Sequence, residues 1–171
     1  TRALDFARGN EWRLPEHFDS DWNPLLDFNR DEPRHPFRPY GSQPGPWLEW
    51  AKLLMQLIGQ GAEEAWMQPA AERLFAGAFA DAWLPGGGFA YTVDWDGAPV
   101  SRLRLHWPIC EGIQACAALV RTTGDPAWEH WYRRLWDHAA TYFIDIKGTW
   151  INELDDDLQE SGTVWPGRAD F

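Results

Sequence analysis

Four short runs in the 171-residue chain gather side chains that can move protons or grip polyols. The first, Arg13-Leu14-Pro15-Glu16-His17-Phe18-Asp19, sets an imidazole between two acids. Histidine titrates near neutral pH, so a turn-held His17 suits acid/base work or a hydrogen bond to a sugar hydroxyl. Glu16 or Asp19 would raise its pKa. The competing reading is a solvated loop histidine. The second run passes from Phe37-Arg38-Pro39-Tyr40-Gly41 to Pro46-Trp47-Leu48-Glu49-Trp50. Glu49 falls in the first turn of a helix, where the dipole favours an acid. Its indole neighbours suggest a second role, a carboxylate between aromatic rings that binds a polyol. Arg38 either clamps the Pro-rich loop or meets a sugar oxygen. In the third run, His106, Trp107 and Glu111 straddle another helix start. The fourth is Trp150-Ile151-Asn152-Glu153, followed by Asp155-Asp156-Asp157, which reads as a solvated turn. His35, His130 and His138 read as structural. No zinc spacing, phosphate loop or GxSxG elbow is present, so no metal site and no Ser or Cys nucleophile is expected.

The elements that must position these groups are helices. Apolar spacing predicts a helix from Trp47 to Gln60, with Pro46 at or before its first turn and Gly59 and Gly61 closing it. A second runs from Pro69 to Trp83 and stops at Pro85-Gly86-Gly87-Gly88. The stretch Phe89–Trp95 alternates like a short strand and turns at Asp96-Gly97. A third helix spans Trp107 to Thr123. A fourth follows Asp125, a candidate N-cap, and ends near Phe143. A second short strand lies at Thr149–Glu153. Trp47 and Trp107 are 60 residues apart, as are Gly88 and Gly148. This order, repeated at a fixed period, predicts a repeat architecture. A turn and aromatic strand at Gly9–Trp22 would belong to a further unit. The seven prolines between Pro15 and Pro46 mark a long loop, and its aromatic residues predict that it is packed. The expected fold is all-α: one domain, 1–171, formed of helical hairpins with short β-hairpins in the loops. It would be part of a closed toroid of such hairpins, an (α/α) barrel.

Bulk composition narrows the partners. A formal net charge of −11 repels phosphate backbones and anionic lipid, so neither nucleic acid nor membrane is expected. No apolar run reaches the roughly 20 residues that cross a bilayer, and no leader pattern opens the chain. The expected setting is cytoplasmic. Cys110 and Cys116 fall on different faces of one helix and should stay reduced. Thirteen tryptophans exceed what a core alone needs and suggest a cleft that stacks rings on sugar faces.

Several of these runs together resemble the N-acylglucosamine 2-epimerase superfamily, in its bacterial mannose isomerase and sulfoquinovose isomerase branch. They are Arg13–Trp22, Phe37–Gly41, Pro44-Gly45-x-Trp47-Leu48-Glu49-Trp50-Ala51-Lys52, Gly88–Gly97, His106-Trp107-Pro108-x-x-Glu111 and Thr163–Asp170. The resemblance implies an (α/α)6 barrel of which this chain is part. It implies aldose–ketose isomerisation or C2 epimerisation through an enediol, with two histidines as acid and base and neither a metal nor an organic cofactor. Carried over by position, His17, Glu49 and Glu111 become the catalytic candidates, and Arg38, His106 and Trp107 contact a monosaccharide. Where the family motif has a proton-transferring histidine, this chain has Pro46; the second such histidine would follow Phe171. Two other readings stay open. A glycoside hydrolase would use Glu49 and Glu111 as its carboxylate pair. A non-catalytic sugar-binding protein would tolerate Pro46. Exposed ring faces would favour homo-oligomerisation or the rest of a barrel.

Overall fold

The computed structural model describes residues 2–169. The described residues form five α-helices: α1 (Arg2–Gly9), α2 (Pro44–Gly59), α3 (Met67–Gly77), α4 (His106–Thr123) and α5 (Ala127–His138). Both α3 and α5 run straight into a π-helical turn, Ala78–Ala82 and Ala139–Phe143. The helices thus begin and end close to the positions set by apolar spacing. The starts at Pro44 and His106 are the main refinement, and Asp125 accepts the Ala127 N–H at 2.9 Å as a cap would.

Helices α2 and α4 pack side by side, with α3 against α2 and α5 against α4. They run parallel. Gly45 at the start of α2 meets Trp107 at the start of α4, and Thr122 near the end of α4 reaches the Met55 carbonyl near the end of α2. One apolar core fills the space between them, built from Trp47, Leu48, Met55, Phe75, Phe89, Ile109, Leu119, Leu135 and Phe143.

The loops return to the helix starts in the same way twice. Before α2, Ser42 exchanges both backbone hydrogen bonds with Val93. Val93 belongs to β1 (Thr92–Val93), which pairs antiparallel with β2 (Pro99–Ser101). Before α4, β3 (Arg104–Leu105) pairs with β5 (Glu153–Leu154), and β5 pairs with β6 (Glu160–Ser161). In addition, β4 (Trp150–Ile151) pairs with β7 (Arg168–Ala169), so the second strand region is shared between two sheets.

The repeat is real, but its register differs from equal spacing. Glu49 and Glu111 are each the sixth residue of their helix, so Pro46 matches Pro108, and His106 matches Pro44. The expected strand at Gly9–Trp22 is absent; after α1 the chain makes one isolated bridge, Phe18 to Pro24. The Pro-rich loop is nonetheless packed, with Arg13, Leu14 and Tyr40 buried.

Candidate active site at the paired helix starts

Gly45 and Trp107 fix the geometry of the site. A β-carbon on Gly45 would overlap two carbons of the Trp107 six-membered ring, so only glycine lets the indole approach α2 this closely. Trp107 also packs, with Val164 and Trp165, on Tyr91, Leu103 and Leu105. The Tyr91 hydroxyl lies 3.0 Å from the carbonyls of both His35 and Pro36, tying the Pro-rich loop to this cluster. Burial pushes the Tyr91 phenol up to about 12, so it stays a donor.

His106 opens α4 half-buried, with Nδ1 3.4 Å from the Asn152 carbonyl. A carbonyl only accepts, so Nδ1 carries the proton and Nε2 keeps its lone pair. Burial lowers its pKa and holds it neutral at pH 7. His17 is its mirror case. Nε2 faces the Pro39 carbonyl at 3.3 Å, which leaves Nδ1 as the basic nitrogen, and the ring packs on Phe28 at 4.5 Å. Burial and the nearby Arg38 charge lower its pKa, which reverses the expected rise. The two acids thought to raise it are engaged elsewhere. Asp19 caps the Asp21 and Asn23 N–H groups, and Glu16 takes the Gln43 side chain at 2.6 Å and its N–H at 3.3 Å.

Arg38 is exposed on the same loop, close enough to His17 to disfavour an imidazolium. Its carbonyl, not its guanidinium, holds the loop, by accepting from Asn29. Glu49 does not sit between two rings. Trp47 turns into the core and donates to Ser42 Oγ at 2.8 Å, while Trp50 and Glu49 are exposed. Nor does Glu49 lie in the first turn, so the helix-dipole account of it fails. Glu111 is already paired: Lys52 crosses from α2 to meet its carboxylate, and both side chains are largely buried. The glycosidase pairing of Glu49 with Glu111 therefore has only one uncommitted carboxylate.

Three structural anchors frame the site. Glu153, fully buried, accepts from Ser161, from the Thr163 hydroxyl and N–H, and from the Val164 and Trp165 N–H groups. Burial opposes its ionisation, but these bonds outweigh that and hold its pKa below the usual range. Arg104, also fully buried, donates to the carbonyls of Gly87, Pro85 and Asp155. Asp156 is not simply solvated, since it pairs with Arg102 at 2.7 Å. Glu16 is the third anchor. Burial raises its pKa to about 7, against the two bonds from Gln43. The Lys52 partner of Glu111 is within reach of sequence reasoning, one turn beyond Glu49. The Glu16–Gln43 contact joins residues 27 apart in an irregular loop, and no local pattern marks it.

Among the described residues, no three His, Cys, Asp or Glu side chains gather to hold a metal, and no helix is long and apolar enough to cross a membrane. Cys110 and Cys116 are unpaired thiols.

The whole chain, residues 1–171, matches the family model for N-acylglucosamine 2-epimerase. The chain belongs to that family. It is 47% identical to a D-mannose isomerase of Thermobifida fusca over 97% of its length, and 42% identical to a D-mannose isomerase of Pseudomonas cannabina pv. alisalensis over 96%. It spans 42% of the length of each. A crystal structure of a D-mannose isomerase superposes on 92% of the chain with TM-score 0.84 at 32% identity. The cellobiose 2-epimerase of Bacillus thermoamylovorans shares the fold over 91% of the chain, with TM-score 0.70 at 19% identity.

Proposed function

We propose that the protein to which these residues belong interconverts an aldose and its ketose, of the mannose–fructose type, or epimerises at C2, by proton transfer through an enediol. The observation that carries this is the pair of adjoining helix starts, with Trp107 seated on Gly45 and neutral His106 beside it. It occurs in a chain that superposes on a D-mannose isomerase. The indole offers a flat apolar face for a sugar ring. His106 Nε2 and His17 Nδ1 each keep a lone pair, suited to proton transfer or to accepting a hydroxyl. Lys52 holds Glu111 as a fixed acceptor, while exposed Glu49 is free to meet substrate. Arg38 serves a sugar oxygen.

The complete fold under this reading is an (α/α)6 barrel. Trp50, Leu53 and Leu57 recur along one exposed stripe of α2, which closure of the ring would cover. The decisive experiment incubates the intact protein with mannose in deuterated water. Appearance of fructose with deuterium at C1, the carbon that receives the proton, is the expected result. Cleavage of an oligosaccharide without interconversion would transfer the assignment to a glycosidase. Saturable quenching of Trp fluorescence by mannose, with no turnover, would leave only a binding protein.

A further inference from the structure

Outside that site, a groove of about 570 Å³ opens between the two repeats, lined by Trp83, Leu84, Pro85, Gly86, Gly87, Arg134 and His138. The chain carries a net charge of −11, yet no carboxylate lines this groove. Arg134 lies over the Trp83 and Trp131 rings, at 5.5 and 5.0 Å, and forms no ion pair among the described residues. Stacking on two indoles holds the guanidinium in place without neutralising it. His138 is 8% exposed, and its Nε2 has no hydrogen-bond partner.

The backbone adds a donor. Gly86, Gly87 and Gly88 all have positive φ, and Arg104 holds the Pro85 and Gly87 carbonyls from one side. Every peptide here is trans, so the Gly86 N–H points opposite to the Pro85 carbonyl, away from Arg104. Arg104 also places its positive charge near the His138 ring. His138 Nε2 and the Arg104 methylenes lie on the same side of Gly88, and Nε2 is buried with no acceptor, so a lone pair there costs less beside the Arg104 charge than an unpartnered proton does. The proton then sits on Nδ1, the nitrogen beside Gly87, whose residue lines the groove. Burial and the Arg104 and Arg134 charges bring the His138 pKa down to about 4, consistent with a neutral donor.

We propose that this groove binds a small oxyanion, such as phosphate, through the Arg134 guanidinium, His138 Nδ1–H and the Gly86 N–H. Oriented backbone N–H groups and an unpaired guanidinium are a recurrent anion-binding combination. The site is independent of the isomerase reading. The oxyanion can be free or carried on a sugar, and the test separates the two. The intact protein is titrated with inorganic phosphate and, separately, with mannose 6-phosphate, while the backbone amides of Gly86 and Gly87 are followed by NMR. Saturable shifts at those amides with phosphate support a free anion. Shifts with mannose 6-phosphate alone support a sugar-borne one. Arg134→Gln, an exposed position, should weaken either by about tenfold, one charge-assisted hydrogen bond. Absence of shifts with both probes, or unchanged affinity in Arg134→Gln, overturns the proposal.

Discussion

The starts of α2 and α4 are two copies of one frame with different contents. Pro44-Gly45-Pro46-Trp47-Leu48-Glu49 and His106-Trp107-Pro108-Ile109-Cys110-Glu111 occupy the same six positions. Both are led in by a residue bridged to a strand of the following loop, and both have proline third, where the N–H lacks an intrahelical partner. What differs is the division of labour. The α4 copy holds the imidazole and the indole. The α2 copy gives up a side chain at Gly45 so that the indole can lie across both. The sixth position diverges as well, since Lys52 neutralises Glu111 while Glu49 stays open. A duplicated frame thus builds one asymmetric surface.

Three substitutions would break this asymmetry. Pro46→His places an imidazole where the α4 copy keeps Pro108. The helix tolerates it, because proline at this position satisfied no bond that histidine must replace. An added acid/base at the paired helix starts should raise kcat for the proposed mannose–fructose conversion by the intact protein by about 100-fold. An unchanged kcat would mean that position 46 does not face the substrate. Lys52→Met makes the two glutamates alike by leaving Glu111 unpaired. Loss of one partner of a buried pair costs several kcal/mol, and the partial exposure here reduces the expected loss to about 2 kcal/mol. Denaturant unfolding measures it, and adding Glu111→Gln should recover most of it. Gly45→Ala forces the rigid Trp107 ring aside, at about 1.5 kcal/mol. In a Trp107→Leu background that penalty should largely vanish, and equal penalties in both backgrounds would show that the indole is not what Gly45 accommodates.

The parts of this surface legible in the sequence are those with short-range causes. Apolar spacing and Gly or Pro stops located α2 to α5, because a helix records its buried face every three to four residues. Glu111, His106 and Trp107 followed from their place at a helix start. The failures were side-chain orientations. Whether Trp47 or Trp50 faces the core depends on which neighbours pack there. The Lys52–Glu111 pair needs two helices at a set distance. The direction of the His17 pKa shift is not legible because its flanking acids are adjacent in sequence but turned to Gln43, Asp21 and Asn23 in space. The equal spacing of Trp47 and Trp107 also misled the register, since those two tryptophans occupy different positions in the frame.

A last difference between the two starts is titratable. Gln43, just before α2, is held by Glu16, whereas the matching residue before α4 is Leu105, held by the sheet alone. Burial raises the Glu16 carboxyl from its usual 4.5 to about 7, so the folded state keeps a proton that the unfolded chain releases. Where the folded state binds more protons, stability falls as pH rises, so this contribution is present below the unfolded value and is lost toward the folded one. Between about pH 6 and about pH 8 the loss from this one group comes to about 1 kcal/mol. Glu16→Gln removes the ionisation and keeps an oxygen for the Gln43 N–H. The variant should therefore lose less stability than the parent over that interval, read as the difference in denaturation midpoints at the two pH values. If parent and variant fall in parallel, Glu16 is ionised in the folded protein. The start of α2 would then be held by a carboxylate like the one that Glu153 presents near α4.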